Sequence, residues 1–108
     1  MQAALIPSPS DGFLQLCRTL VSYSEIQLLR GNGNYTNIYL TDGRLLVTSK
    51  NIGFYEPLLP VELFCRPHKR IIINRDFIAN RRTGEIVLLD GTRLEVARRR
   101  RKMIKKLK

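Results

Sequence analysis

Apolar and polar residues alternate along much of the chain with a period of two, which is typical of β-strands that bury one face. Residues 24–30 follow this pattern and predict a half-buried strand with Ile26 and Leu28 on one face. Residues 35–40 predict a second strand, in which every second residue from Thr36 to Leu40 faces inward. Its other face is polar and aromatic. Strands are therefore expected to dominate the fold.

Turn signals separate the predicted strands. Glycine and asparagine alternate over positions 31–34, and both residue types tolerate positive φ. Asp42-Gly43 and Asp90-Gly91 each lie between two alternating segments, a pattern that predicts a β-hairpin. The first hairpin joins residues 35–40 to 44–49, and the second joins residues 85–89 to 93–97. A further short strand is predicted over residues 77–81, before a turn at Thr83-Gly84.

A short helix is predicted in the middle of the chain. Asn51 can cap it, and it is expected to run to about Pro57. Leu58 and Leu59 are expected to pack inward before Pro60 ends the segment.

The most apolar, β-branched segment follows directly after a cationic one. Residues 66–70 are predicted to form a basic loop in which Pro67 restricts the backbone, and residues 71–73 are three isoleucines that predict a rigid strand. Asn74 ends the isoleucine run, where we expect it to satisfy buried backbone groups. A basic loop fixed to a rigid strand suits a polyanionic partner, although a solvated loop that happens to be basic has the same sequence pattern.

The two ends of the chain differ from its body. Residues 1–12 are rich in proline and serine and predict a flexible leader, followed by a candidate edge strand over 13–17. We therefore divide the chain into a leader with this strand, residues 1–22, and one folded domain, residues 23–108. From Arg98 onward Met103, Ile104 and Leu107 fall at helical spacing among basic residues. This pattern is that of a basic helix or a basic tail, and the three apolar anchors favour a docked helix.

The net charge of the chain limits the kinds of molecule that it is expected to bind. The formal net charge is +10, and eight of the 19 Lys and Arg residues lie between Arg98 and Lys108. Such an excess of positive charge indicates nucleic acid or an anionic membrane surface. No apolar run is long enough to cross a bilayer, and the first residues lack the features of a signal peptide, so we expect a cytoplasmic protein. Cys17 and Cys65 lie far apart in apolar surroundings and are expected to be reduced core thiols.

The sequence supplies few residues for catalysis. His68 is the single histidine, and the nine acidic residues are scattered. General acid–base catalysis and metal binding need several such groups that converge. We therefore predict a protein that is not an enzyme and that needs no cofactor or metal. Gly31-Asn32-Gly33 lacks the spacing of a phosphate-binding glycine loop.

Three basic or polar segments remain as candidates for a functional site: the turn that ends in Asn34-Tyr35, residues 66–70 and residues 98–102. Together with the turns between them, their order along the chain resembles that of one family. Residues 33–40, then Asp42-Gly43, then residues 66–74 with Phe77-Ile78, then Asp90-Gly91 and residues 96–100 resemble the LytTR DNA-binding domain of bacterial response regulators. The resemblance extends over about residues 24–107. It implies a mainly β fold of elongated, multi-stranded antiparallel sheets with short helices, including a basic C-terminal helix. In that family, loops at strand ends enter successive major grooves of DNA.

The resemblance also implies which residues contact DNA. The positions that match the family's base-reading loops are Asn34, Lys69 and Arg99. An asparagine suits adenine, and a lysine or arginine suits the O6 and N7 atoms of guanine. The positions that match its phosphate contacts are Tyr35, Arg66, His68, Arg70, Arg98, Arg100 and Lys102. Such contacts fix the register of a protein on the duplex and carry no sequence information themselves.

Two departures from the family pattern affect the expected DNA sequence preference. Arg70 and Ala97 each stand where the family usually has serine. The receiver domain that usually precedes this module does not fit in residues 1–22, so we expect a domain cut from a longer two-component regulator or a free-standing domain under other control. The resemblance implies double-stranded DNA as the partner, bound by two copies on direct repeats, with the free protein monomeric and no small-molecule substrate.

Two alternatives follow from the charge alone. A basic module that binds RNA, or that binds nucleic acid without sequence specificity, has the same charge distribution. Membrane-surface binding by the C-terminal helix is the third hypothesis, but three apolar anchors are few for insertion.

Overall fold

Antiparallel strands connected by short turns form most of the molecule. The computed structural model describes residues 12–16, 19–82 and 84–98. Within these residues the strands are β1 (Phe13–Leu16), β2 (Thr19–Ser22), β3 (Ile26–Asn32), β4 (Tyr35–Leu40), β5 (Leu45–Thr48), β6 (Phe64–His68), β7 (Ile71–Asn74), β8 (Ile78–Arg82), β9 (Glu85–Leu88) and β10 (Arg93–Glu95). One α-helix, α1 (Ile52–Tyr55), and short 3-10 segments at Tyr23–Glu25, Glu56–Leu58 and Arg75–Phe77 complete the described elements.

The strands form three antiparallel sheets. The central sheet has five strands in the order β5-β4-β3-β7-β6, the second has the order β10-β9-β8, and β1 pairs with β2. Two apolar clusters hold these parts together. The first joins the central sheet to α1 and the β1–β2 hairpin, and the second joins it to the three-stranded sheet. Strand β7 of the central sheet is thus buried on both faces, and the predicted mainly β, multi-sheet architecture is confirmed.

Strand β3 differs from the prediction in which residues share a face. The pairing of β3 with β4 shifts register between Ile26 and Leu28, which is the mark of a β-bulge. As a result Ile26 and Leu29 belong to the first apolar cluster and Leu28 to the second. The prediction that Ile26 and Leu28 share one face is therefore wrong, because the extra residue in the bulge reverses the alternation.

Both predicted Asp-Gly hairpins are present. The turn at Asp42-Gly43 joins β4 to β5, and the turn at Asp90-Gly91 joins β9 to β10. Each glycine adopts a positive φ. In the first turn the Asp42 carboxylate accepts a hydrogen bond from the Arg44 amide, and this bond holds the pKa of Asp42 below its usual value. In the second, the bond from the Thr92 amide likewise lowers the pKa of Asp90.

Helix α1 begins where the sequence predicts. The side chain of Asn51 accepts a hydrogen bond from the Phe54 amide and so caps the helix. Leu59 is buried as expected, but Leu58 is 45% exposed, so the prediction that both leucines pack inward is half wrong. The 3-10 geometry of Glu56–Leu58 turns one leucine outward and the other into the first apolar cluster.

Strand β6 was not predicted. The sequence indicates a loop over residues 66–70, whereas Phe64–His68 is a strand and only Lys69 and Arg70 form the turn. Pro67 is tolerated because the pairing of β6 with β7 shifts register between Cys65 and His68, so the bulge contains the residue that has no N–H to donate.

The structure describes one of the two predicted core cysteines and only part of the two chain ends. Cys65 is a free, buried thiol, as predicted, whereas Cys17 lies outside the described residues. The predicted C-terminal basic helix and most of the predicted leader also lie outside them. The β1–β2 hairpin contributes Leu14, Leu16 and Val21 to the first apolar cluster. Within the described part of the chain, no helix has the length and apolar character required to span a bilayer.

Candidate nucleic-acid interface

The β3–β4 turn presents the first two predicted DNA-contacting residues. Asn32 pairs with Tyr35, so Gly33 and Asn34 form a two-residue turn, with Gly33 at a φ of 62°. Asn34 is exposed, and Tyr35 is 54% exposed at the start of β4. Next to them Thr36 is buried and donates a hydrogen bond to the carbonyl of Lys50. A fixed backbone therefore carries a solvent-facing amide and phenol.

The β6–β7 turn presents the second group. His68 pairs with Ile71, which leaves Lys69 and Arg70 as a two-residue turn with both side chains exposed. The strand that follows is buried from Ile71 to Asn74. The two cations thus stand at the end of one of the best-packed strands of the molecule, as the sequence predicted.

Arg66 differs from the other predicted phosphate-contacting residues. Its side chain is only 14% exposed. One guanidinium nitrogen donates to the carboxylate of Glu56, and another donates to the main-chain carbonyl of Lys69. Arg66 therefore ties the β6–β7 turn to the segment after α1. Its contact with phosphate stays a prediction, while its contact with the turn is part of the fold.

His68 fixes the other side of the same turn. Its Nδ1 atom accepts a hydrogen bond from the Arg70 amide over 3.2 Å. An imidazole that accepts at Nδ1 carries its hydrogen on Nε2, so the half-buried ring retains one donor. A donor beside two exposed cations is suited to an anionic oxygen.

Two main-chain hydrogen bonds bring the predicted contact segments together. The Gly31 amide donates to the carbonyl of Arg70 over 2.7 Å, which places the β3–β4 and β6–β7 turns at the same end of the central sheet. The Ala97 amide donates to the carbonyl of Pro67 over 2.8 Å, which places the segment after β10 beside β6. We call these three segments the basic row: the Gly33–Asn34 turn, the Lys69–Arg70 turn and residues 96–98.

The basic row includes most of the predicted contact residues that the structure describes. Arg98 is exposed directly after Ala97. Three other predicted contact residues lie outside the described residues: Arg99, predicted to contact a base, and Arg100 and Lys102, predicted to contact phosphates.

Asn74 is 3% exposed and lies away from solvent. Its amide nitrogen donates to the carbonyl of Ile26 over 2.9 Å, and its oxygen accepts from the Asp76 amide, so the prediction that it satisfies buried backbone groups is confirmed.

Sequence reasoning missed two residues that position this surface. Glu56 anchors Arg66 from an element that lies ten positions away in the chain, and no local pattern indicates that pairing. Gly31 allows close packing: a Cβ atom added there would lie 3.1 Å from the Cγ2 atom of Ile52. The sequence pattern predicts that Gly31 belongs to a turn, whereas it lies inside β3.

The described residues offer little for metal or thiol chemistry. They include no group of three or more histidine, cysteine or acidic side chains placed to hold a metal ion. Burial raises the pKa of the Cys65 thiol, which disfavours the thiolate that a nucleophile requires. The exposed cations of the basic row, in contrast, are placed to contact several negative charges at once.

Comparisons with known proteins bear on the family and the fold. The family model of the LytTr DNA-binding domain matches residues 17–108. Among solved structures, a LytTr DNA-binding domain of a methyl-accepting/DNA response regulator from Bacillus cereus has the same fold, with a TM-score of 0.70 at 20% sequence identity. That match covers 88% of this chain and 93% of the other. No curated protein sequence gives a significant match.

Proposed function

Because the chain belongs to the LytTR family of DNA-binding domains, we propose that it binds double-stranded DNA sequence-specifically, through the basic row, and regulates transcription. The observation that carries this proposal is the pair of main-chain bonds that holds the Asn34 turn, the Lys69 turn and Arg98 side by side. DNA presents its bases and phosphates at regular intervals, so several short contact segments in fixed relation can engage it together.

Base recognition is assigned to the side chains at the tips of the basic row. Asn34 can pair with adenine, and Lys69 can donate to guanine O6 and N7. Both are exposed on two-residue turns, and this exposure supports the assignment. Arg99 takes the third base-reading role, on the strength of the family match and of its position next to Arg98.

Phosphate contacts surround the base-reading positions. We assign them to Tyr35, Arg70, Arg98, Arg100, Lys102 and the Nε2–H of His68. Arg66 takes a different role in this proposal: since its guanidinium is engaged by Glu56 and by the Lys69 carbonyl, it orients Lys69.

The wider biological setting follows from the family. We propose a bacterial, cytoplasmic regulator, or the output domain of one, that works in a two-component system. Two copies bind direct repeats about one helical turn apart, and the free protein is a monomer. The proposal includes no small-molecule substrate and no catalytic step.

Selection of bound duplexes from a random DNA pool at about 150 mM salt tests sequence specificity. Enrichment of a pair of short motifs about one helical turn apart is the expected result. Tight binding without enrichment would overturn sequence specificity and favour a module that binds nucleic acid through charge alone. A competition in which structured RNA displaces the duplex would favour an RNA-binding module.

Salt dependence tests the phosphate contacts separately. With about six phosphates neutralised, the logarithm of the association constant should fall with the logarithm of salt concentration at a slope of about −5. A complex that is insensitive to salt would contradict the proposed interface.

A further inference from the structure

A further turn, between β8 and β9, lies against the basic row. The amide of Val96 donates to the carbonyl of Gly84 over 3.0 Å, while the next amide, that of Ala97, donates to Pro67 over 2.8 Å. Two consecutive residues thus bind two different elements, so residues 96–97 lie between β6 on one side and the β8–β9 turn on the other. The β8–β9 turn therefore continues the series that begins at the Asn34 turn.

This turn carries an exposed arginine that no prediction included. Arg82 is the last residue of β8 and is paired across the turn with Glu85, while the preceding residue is paired with the fully buried Ile86. Residues paired across strands share a face. Arg82 therefore lies on the face turned away from the second apolar cluster, and its side chain is exposed to solvent.

The acid opposite Arg82 has another partner. The carboxylate of Glu85 accepts a hydrogen bond from the guanidinium of Arg93 over 3.3 Å. Pairing with Arg93 partly neutralises Glu85, which leaves Arg82 available to another anion, while Glu95, paired with Glu85 across β9 and β10, is a second exposed acid on this face.

We propose that Arg82 contacts a phosphate of the DNA backbone beyond the bases read by the basic row, so that the β8–β9 turn extends the footprint on one side. This inference rests on the proposed function, since it adds a contact to the same DNA complex. A single phosphate contact at the edge of an interface adds affinity and salt dependence and leaves sequence preference unchanged.

The test compares two arginine variants on a 30-base-pair duplex of random sequence between about 50 and 200 mM salt. Arg82→Gln should weaken binding about two- to fivefold and reduce the salt slope by about 0.9. Arg44→Gln is the matched control, because Arg44 is an exposed cation at the far end of β4, bonded to Asp42. It should leave the slope unchanged.

Two further measurements locate the contact. Glu85→Gln removes the acid beside Arg82 and should tighten binding. On the site recovered by selection, shortening one flank of the duplex should weaken the wild type and have no further effect on Arg82→Gln.

The outcomes separate this inference from the proposed function. An unchanged slope for Arg82→Gln, an equal fall in both arginine variants, or a flank effect that persists in Arg82→Gln would overturn the inference while DNA binding stands. Failure of the wild type to bind any duplex would overturn the proposed function itself.

Discussion

Arg66 donates a hydrogen bond from its guanidinium to the main-chain carbonyl of Lys69, three residues later. The same guanidinium donates to Glu56. A side chain that is largely buried thus determines where an exposed lysine stands. The orientation of the β6–β7 turn can therefore be tested separately from its charge. Loss of an acid that orients the turn should weaken DNA binding, whereas loss of an acid that only adds negative charge should strengthen it.

Glu56→Gln should weaken DNA binding about two- to fivefold, although it removes a negative charge from a protein that binds a polyanion. The reason is that Arg66 loses the carboxylate that holds it against the Lys69 carbonyl. Binding to duplex DNA at constant salt, measured by fluorescence anisotropy, provides the comparison. Glu62→Gln is the control, since Glu62 is exposed in the turn before β6 and its removal should tighten binding slightly. If both variants tighten binding equally, Arg66 does not orient the turn.

Lys69→Ala should cost about 1–3 kcal/mol of binding free energy on the selected site and much less on random DNA. A base contact is lost only where the correct base is present, which is why the two duplexes should differ. Arg70→Ala, in the same turn, should weaken binding on both duplexes to a similar extent, because phosphates are present in every sequence. Equal losses for Lys69→Ala on the two duplexes would make Lys69 a phosphate contact.

Asn74→Ala should lower the free energy of unfolding by about 1–3 kcal/mol. The substitution leaves the carbonyl of Ile26 and the amide of Asp76 without the partners that they have in the native fold. Urea denaturation should show a lower midpoint at an unchanged m-value. Asn80→Ala, at an exposed position of β8, should change stability by less than about 0.5 kcal/mol. A neutral Asn74→Ala variant would show that water replaces the side chain without cost.

Gly31→Ala should destabilise the fold by about 1–3 kcal/mol, since the new methyl group would press on Ile52. Gly53→Ala is the matched control: its Cβ would meet only the side-chain oxygen of Asn51, at 3.4 Å. In a helix the second substitution should be neutral or stabilise by up to about 1 kcal/mol. The melting temperature should therefore fall for Gly31→Ala and stay the same or rise for Gly53→Ala. Equal shifts would mean that Ile52 relaxes freely.

Local chemistry made much of the fold predictable. The Asp-Gly hairpins, the Asn51 cap and the alternation in β4 depend on residues that are close together in the chain, and each was predicted correctly. The register shifts in β3 and β6 were not predictable in this way. A bulge depends on how neighbouring strands pack, and that information lies in distant residues.

The candidate site shows the same difference between features that depend on neighbouring residues and features that depend on distant ones. Local turn signals and charge indicated the turn that ends at Asn34 and the basic segment that contains Lys69, and the family resemblance then implied which of their residues contact DNA. The residues that position them could not be identified in this way. Glu56 accepts a hydrogen bond from Arg66, ten residues later in the chain, and the Gly31 amide donates to the carbonyl of Arg70 in another hairpin. Arg82 was missed because Arg81-Arg82 before a turn looks like an ordinary solvated strand end. Only the bond between Val96 and Gly84 places it beside the basic row.

The bonds that assemble the basic row, and the bond that joins the β8–β9 turn to it, connect different parts of the chain: Gly31 to Arg70, Pro67 to Ala97 and Gly84 to Val96. Contacts of this kind form late and cooperatively during folding, since loops must close before they contribute. The basic row is consequently a property of the described fold taken together and of no single hairpin. DNA that binds only this folded form shifts the unfolding equilibrium through mass action, so the elements that the structure describes should be protected from heat and proteases together in the bound domain.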